Sequence, residues 1–290
     1  MSRLRLVRAL VVCVSASSVG IAAPSSAQTP APPARNEVEQ NVVNLPTTQP
    51  MRATGHHFRI THRFARDWNR GTFGQLAADL FGLDSGAIIG LDYRFAPTSR
   101  IQTGIYRSML FKTIQVSGRF DAWQQGESFP VGLSVLASVE GTNNMRDDHA
   151  PGLGFVASRS VGQLITLYAS PTFVWNTSAV HEVEIDDGHE DHDHGVVPSP
   201  LDDGYSDTAY IGVGARVRIL SGTFLVGEFS PRVWGHSPGR GIWGAAIEKQ
   251  TRGHVFQLNF TNSFGTTFGQ IAGGGDVHNV YLGFNIARRF

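Results

Sequence analysis

The residues best suited to chemistry form an acidic, histidine-rich tract over 181–194, which reads HEVEIDDGHEDHDH. Imidazole and carboxylate groups are good ligands for Zn²⁺, Cu²⁺ or Ni²⁺. The residues that could share one such ion are His189, Asp191, His192, Asp193 and His194. Two interpretations stay open, a solvated acidic loop without a role and a loop that weakly captures a divalent metal. A catalytic metal site needs a fixed coordination sphere with supporting contacts, so we expect no resident cofactor.

A second set of charged residues recurs at alternate positions within apolar segments, so its members would share one polar face. These residues are Arg59, Arg63, Asp92, Arg94, Arg119, Asp121, Arg216, Arg218, Glu228 and Arg232. If the segments close into a barrel, this set lines its interior. Arginine outnumbers the acids, so an open passage would favour anions. The alternative is a set of paired charges that fills and stiffens the interior, as in small barrels.

Histidines near the expected outer loops are the remaining candidates for catalysis, and they are His149, His236 and His278. Asp147 and Asp148 precede His149 directly and could orient its imidazole only if that loop folds back. The chain has no Gly-Xaa-Ser-Xaa-Gly elbow and no spacing that forces a catalytic dyad. We therefore expect that the protein is not an enzyme.

The segments that carry the charges alternate apolar and polar residues, which is the period-2 pattern of strands with two different environments. The clearest examples are 58–64, 131–140, 165–173, 211–219 and 256–261. At ~3.4 Å per residue and ~40° tilt, about ten residues cover the ~25 Å of an outer-membrane apolar band. A secreted β-sandwich would use shorter strands. The pattern predicts an all-β fold, an antiparallel transmembrane β-barrel of about twelve strands over 53–290.

The N-terminal region predicts export. Arg3, Arg5 and Arg8 precede an apolar stretch that ends in the small residues Ser25-Ser26-Ala27, so we expect a signal peptide over 1–27. Residues 28–52 are rich in Pro, Ala and Asn and predict a flexible periplasmic leader, which could recruit a periplasmic partner. Loss of those three arginines leaves 24 − 3 = 21 basic against 24 acidic residues. That balance gives no electrostatic case for nucleic acid.

Connection lengths and the C-terminus give the orientation. Short connections such as 96–98 and 221–222 alternate with long ones such as 178–206 and 263–277, as expected for periplasmic turns and outer loops. Phe284, Ile286 and Phe290 are spaced in steps of two, with Arg288 in the gap. This spacing resembles the strand by which outer-membrane barrels are recognised for assembly. We therefore expect outer-membrane lipid and the barrel-assembly machinery as partners, in the bacterial outer membrane.

Several stretches resemble an uncharacterised family of bacterial outer-membrane β-barrels, a domain of unknown function. They are 61–64 (THRF), 170–173 (SPTF), 227–232 (GEFSPR) and 253–263 (GHVFQLNFTNS). The resemblance runs roughly from Leu45 to Phe290, and it implies a barrel of this size without an assigned ligand or catalytic residue. The expected function is passive passage of ions or small solutes. The alternative is a non-conducting surface barrel whose His/Asp-rich loop binds divalent metal or a partner.

Overall fold

The strands of this protein form one continuous antiparallel sheet. The computed structural model describes residues 39–126, 129–177, 207–235 and 239–290. The strands are β1 (Gly55–Asp67), β2 (Ala87–Ala96), β3 (Ile101–Ser108), β4 (Ile114–Trp123), β5 (Gly132–Gly141), β6 (Asp147–Val161), β7 (Ile165–Val174), β8 (Thr208–Leu220), β9 (Thr223–Ser230), β10 (Arg232–Gly235), β11 (Ile242–Gln250), β12 (His254–Thr261) and β13 (Tyr281–Arg289).

The sheet closes on itself. Apart from the short β10, strands that follow each other in sequence pair with each other, and β1 pairs with β13, with Ile60 opposite Ile286. The strands β9 and β10 both pair with β8 and are interrupted at Pro231, which has no N–H to give to the ladder. Together β9 and β10 make one strand of the wall. The ring therefore has twelve wall strands, and the predicted twelve-stranded antiparallel barrel is confirmed.

Alternation along each strand separates an apolar outer face from a polar inner face. On β12, Phe256 and Leu258 are 47% and 50% exposed, whereas their neighbours Gln257 and Asn259 are buried inside the ring. A closed barrel satisfies every backbone group of its wall, and a broad apolar outer face is stable in lipid. The same alternation places the predicted charged set on the inner face.

The helices lie in the connections at the end of the barrel opposite the start of β1. They are α1 (Phe73–Ala78), α2 (Thr142–Met145) and α3 (Phe268–Gly273). Two of them begin with a capping box, formed by Thr72 with Gln75 in α1 and by Thr267 with Gln270 in α3. In the described part of the chain, none of the helices has the length and apolar character needed to cross a bilayer.

The prediction of a flexible leader over 28–52 is wrong for its second half. Residues 39–50, here called the lumen segment, run inside the ring, and their centre is fully enclosed, with Val42 and Val43 at 0% exposure. Residues 28–38 lie outside the described residues, as does the expected signal peptide. The segment has no periodicity because it is a turn, and its burial comes from contacts with the wall.

Candidate functional site

The lumen segment folds into a tight turn. Asn41 and Pro46 form an isolated antiparallel bridge, and the Val42 N–H donates to the Leu45 carbonyl at 2.7 Å. The Asn41 side-chain amide also donates to the Asn44 carbonyl at 2.8 Å. Asn and Pro favour such turns because Asn bonds the nearby backbone and Pro fixes its own φ. The turn leaves the backbone N–H groups of residues 43–45 pointing away from it.

Glu228 on β9 binds that turn. Its carboxylate accepts the backbone N–H groups of Val43 at 2.8 Å, Asn44 at 2.9 Å and Leu45 at 3.0 Å. The carboxylate is buried, and hydrogen bonds to an ionised acceptor are about twice as strong as neutral ones. Three successive N–H groups around one anion form a nest, an arrangement that stabilises negative charge. A single wall residue therefore fixes the tip of the segment.

Arginines of the wall bind the carbonyl groups of the same segment. Arg59 donates to the Val43 carbonyl, and Arg216 donates to the Asn41 carbonyl at 2.9 Å. Arg119 donates to the Thr47 carbonyl at 2.8 Å and also reaches the Gln49 carbonyl. Arg63 and Arg94 bind side chains instead, the Asn44 amide oxygen at 3.0 Å and the Asn41 amide oxygen at 2.7 Å. These five arginines and Glu228, all members of the charged set, thus hold the segment from several strands.

Ion pairs within the wall hold these arginines in place. Arg94 pairs with Asp92 and Arg119 pairs with Asp121, each at 2.7 Å. Arg218 donates to Gln163 at 3.2 Å near the short-turn end. All ten residues of the predicted set face the interior. The structure differs from the expectation of paired wall charges alone, because a separate piece of chain supplies many of their partners.

Three further acids also face the interior. Glu248 pairs with Arg216 at 3.0 Å with both side chains fully buried. Glu39 belongs to the lumen segment and lies 3.6 Å from His57, and Glu140 is buried on β5. With these acids counted, the interior charges nearly balance, so the expected preference for anions loses its basis. The alternation pattern does not predict Glu248, because the other inner-face positions of its strand include Gly244 and Ala246, which are not polar.

Glycines on the inner face make room for the apolar side chains of the segment. A Cβ placed on Gly212 would come within 2.5 Å of the Leu45 side chain, and one on Gly214 would come within 3.2 Å of the Val42 side chain. A Cβ on Gly244 would lie 3.2 Å from the Val43 Cβ. The wall is therefore shaped to the segment as well as charged for it.

A second piece of chain enters from the opposite end. Residues 262–276, here called the inserted loop, carry α3, whose Phe268, Ile271 and Ala272 are buried. Glu140 accepts the Thr267 hydroxyl at 2.7 Å and the Gly269 N–H at 2.9 Å. Arg232 donates to the Gly273 carbonyl at 3.0 Å. The two insertions come close inside the barrel, since both Pro46 and Phe268 line one remaining cavity.

Two cavities lie between the insertions and the wall of the described barrel. The shared cavity measures about 50 Å³ and is lined by Arg94, Tyr106 and Arg119 among others. A water molecule needs ~10–15 Å³ of such a cavity, so the cavity has room for roughly three to five waters. A second cavity of about 80 Å³ lies beneath the long connections, against Phe264 and Tyr281.

The predicted metal ligands His189, Asp191, His192, Asp193 and His194 lie outside the described residues. Within the described ranges, no group of three or more His, Cys, Asp or Glu side chains is arranged to hold a metal ion.

Phe284 and Ile286 lie on the outer face of β13, and the terminal Phe290 is 50% exposed. Their role as an assembly signal stays a prediction.

The proteins that this chain resembles are also β-barrels. A family model described as Membrane bound beta barrel domain (DUF5777) matches residues 39–290, so the match includes the lumen segment. No curated protein matches. Among solved structures, the COG4313 outer membrane channel from Pseudomonas putida F1 is similar with a TM-score of 0.48 and 10% identity, over 83% of this chain and 96% of that chain.

Two porins are also similar. The NanC porin has a TM-score of 0.45 and 6% identity, over 80% of this chain and 97% of that chain. A variant of the Rh. blastica porin has a TM-score of 0.34 and 8% identity, over 70% of this chain and 55% of that chain. This chain therefore spans about half the length of the Rh. blastica porin.

Proposed function

Because this chain belongs to the family of membrane-bound β-barrel domains (DUF5777) and is a β-barrel of the bacterial outer membrane, we propose that it is a gated channel for ions or small solutes. In the state described here the lumen segment and the inserted loop close it. The observation that carries the proposal is the Glu228 carboxylate, which binds three successive backbone N–H groups of the segment. The wall thus recognises a piece of chain that occupies the path.

The way the segment is held favours a gate over a permanent core. Every wall strand pairs with two other strands of the ring, so withdrawal of the segment breaks no strand pair and opens no sheet edge. Its hydrogen bonds to the wall run through Arg59, Arg119, Arg216 and Glu228, beside the apolar contacts of Val42, Val43 and Leu45. Water and ions can replace polar bonds of this kind in a hydrated lumen. A periplasmic partner that draws on the chain before residue 39 would open the path.

The fullness of the interior supports one alternative, a non-conducting surface barrel. In that case the lumen segment and the inserted loop are a permanent filling, and function lies in the outer loops, including metal or partner binding by 181–194. Catalysis is not part of either proposal. A conductance measurement distinguishes the two proposals, because a gated channel conducts when the insertions move and a permanently filled barrel does not.

A disulfide lock provides the test. A Cβ on residue 244 would lie 3.2 Å from the Val43 Cβ. A disulfide needs Cβ atoms ~3.5–4.5 Å apart, so a shift of a few tenths of an ångström meets this distance. We would prepare Val43→Cys with Gly244→Cys in a Cys13→Ser background and record single channels in a planar bilayer. We expect silence when the pair is oxidised and conductance steps after reduction. The two single-cysteine variants, treated identically, are the matched controls.

A deletion provides the stronger outcome. Removal of residues 39–50 should yield lasting conductance, provided that the variant still migrates as a folded barrel in an unheated gel. If the folded deletion variant stays silent even when Glu140→Ala also frees the inserted loop, the gated-channel proposal is refuted and the non-conducting barrel is favoured.

A further inference from the structure

The connection between β1 and β2 carries large apolar side chains on the outside of the barrel. We call residues 68–85 the rim loop. Phe73 is 76% exposed, Leu83 is 56% exposed and Leu80 is 53% exposed. A contiguous exposed apolar patch on an ordered loop marks a surface that contacts something other than water.

The rim loop rests against the lipid-facing wall. The Trp68 ring packs edge-on against Phe260 with their centroids 4.8 Å apart, and Phe260 continues the outer face of Phe256 and Leu258 on β12. From Trp68 the row of rings continues to Phe81 at 5.8 Å and from Phe81 to Phe73 at 6.1 Å. The row begins on the lipid-facing wall and ends at the most exposed aromatic residue, so the apolar surface is continuous.

The rim loop is built to hold this shape. Arg66 pairs with Asp79 at 3.0 Å, and the Trp68 indole N–H donates to the Phe81 carbonyl at 3.0 Å. Leu80 and Phe81 adopt left-handed backbone angles, with φ of 48° and 59°, a conformation unfavourable for residues with a side chain. Neighbouring structure must maintain it. The result keeps polar groups bonded within the loop while apolar side chains face outward.

We propose that the rim loop is an interfacial anchor that inserts Phe73, Leu80 and Leu83 among the acyl chains of the outer-leaflet lipid. Continuity with the wall selects lipid as the occupant, because the same apolar surface already meets lipid at Phe256 and Leu258. A short amphipathic element binds a membrane surface by burying its apolar side chains at the boundary between headgroups and acyl chains. The proposal depends on the barrel's place in the membrane and not on the gate.

Spin labels give a direct test, because Cys13 is the only cysteine and a Cys13→Ser background makes single sites clean. We would label Phe73→Cys and Leu83→Cys in phosphatidylcholine vesicles and compare collision rates with oxygen and with a water-soluble nickel complex. Leu258→Cys is the lipid control, since it lies mid-strand on the outer face. Arg146→Cys, exposed in the connection after α2, is the aqueous control.

We expect the labels at 73 and 83 to favour oxygen over nickel, as the label at 258 does, by several-fold relative to the label at 146. Nickel accessibility equal to that at 146 would overturn the proposal. Protection from both reagents together with spin–spin coupling would also overturn it and would assign the surface to a second copy of the chain. All four labelled sites are exposed, and unheated gel migration checks that each variant is folded.

Discussion

Buried charge in this barrel is tolerated because the wall and the inserted chain together supply its partners. Arg63 is 1% exposed, yet its guanidinium donates to the Asn285 side chain at 2.9 Å and to the Asn44 side chain at 3.0 Å. A charge that loses its partners in such a place costs several kcal/mol. Removing the lumen segment is therefore feasible only if water enters as it leaves.

Replacing Glu228 should loosen the segment. Glu228→Gln keeps the shape but loses the negative charge, and its NH₂ group would face backbone N–H donors. Hydrogen bonds to a charged group contribute about 1.5–3 kcal/mol, so we expect the open fraction to rise at least about tenfold. Single-channel recording measures it, with Arg218→Gln as the control, because Arg218 bonds Gln163 near the short turns. An unchanged open fraction would contradict the role assigned to Glu228.

The shape of the wall gives a second prediction at this scale. Gly212→Val would place side-chain atoms where Leu45 lies, since even a Cβ there comes within 2.5 Å of it. Overpacking of this kind typically costs about 1–3 kcal/mol, so the segment should be displaced and conductance should increase. Leu45→Ala in the same chain restores space, and closure should return. If the double variant stays open, overlap between residue 212 and Leu45 is not the cause of the opening.

Sequence reasoning could find the charged wall residues but not their partners. Arg59, Arg216 and Glu228 were predicted because period 2 along a strand assigns a face. Gly212 and Gly244 give no such signal, because the need for a small residue arises only when another piece of chain packs against it. The recognition of the lumen segment is thus a property of contacts distant in sequence.

At the scale of elements, α3 shows how a loop can become part of the interior. The Gly269 N–H donates to Glu140 and the Gln270 N–H donates to the Thr267 side chain, whose hydroxyl in turn donates to Glu140. These bonds hold a helix that is too short to be stable alone. Glu140 thereby does for the inserted loop what Glu228 does for the lumen segment.

Glu140→Ala should release α3 while leaving the lumen segment in place. Loss of bonds to a carboxylate worth about 1.5–3 kcal/mol predicts that amide exchange of residues 267–273 accelerates about tenfold or more. Hydrogen–deuterium exchange with mass spectrometry measures this, and peptides covering residues 39–50 serve as the internal reference. Equal acceleration in both regions would show that the two insertions form one cooperative unit.

The strands and the insertions differ in how far the sequence predicts them. The sequence predicts the strands and their number, because each strand has an apolar outer face and a polar inner face and so alternates the two residue types. The lumen segment was mistaken for a flexible leader because Pro, Asn and lack of periodicity are equally typical of a mobile linker and a buried turn. Only the wall around it, assembled from residues far along the chain, decides between the two.

At the scale of the whole molecule, the number of strands explains why insertions are present. Barrels of eight strands are filled by wall side chains, and those of sixteen to eighteen leave an aqueous channel. This twelve-stranded ring lies between those sizes, and besides its own inward side chains it holds one turn and one short helix. Cavities of about 50 Å³ and 80 Å³ lie beside these insertions.

In the proposed channel the two insertions obstruct one path from opposite ends, so their resistances would add in series. Removing residues 39–50 alone leaves the resistance of the inserted loop, and Glu140→Ala alone leaves that of the lumen segment. We therefore expect the conductance gain of the combined variant to exceed the sum of the gains of the two single variants. Planar-bilayer recordings of the four forms under one salt condition measure this. Gains that simply add would indicate two parallel paths along the wall, in which case the lumen segment and the inserted loop would gate separate routes.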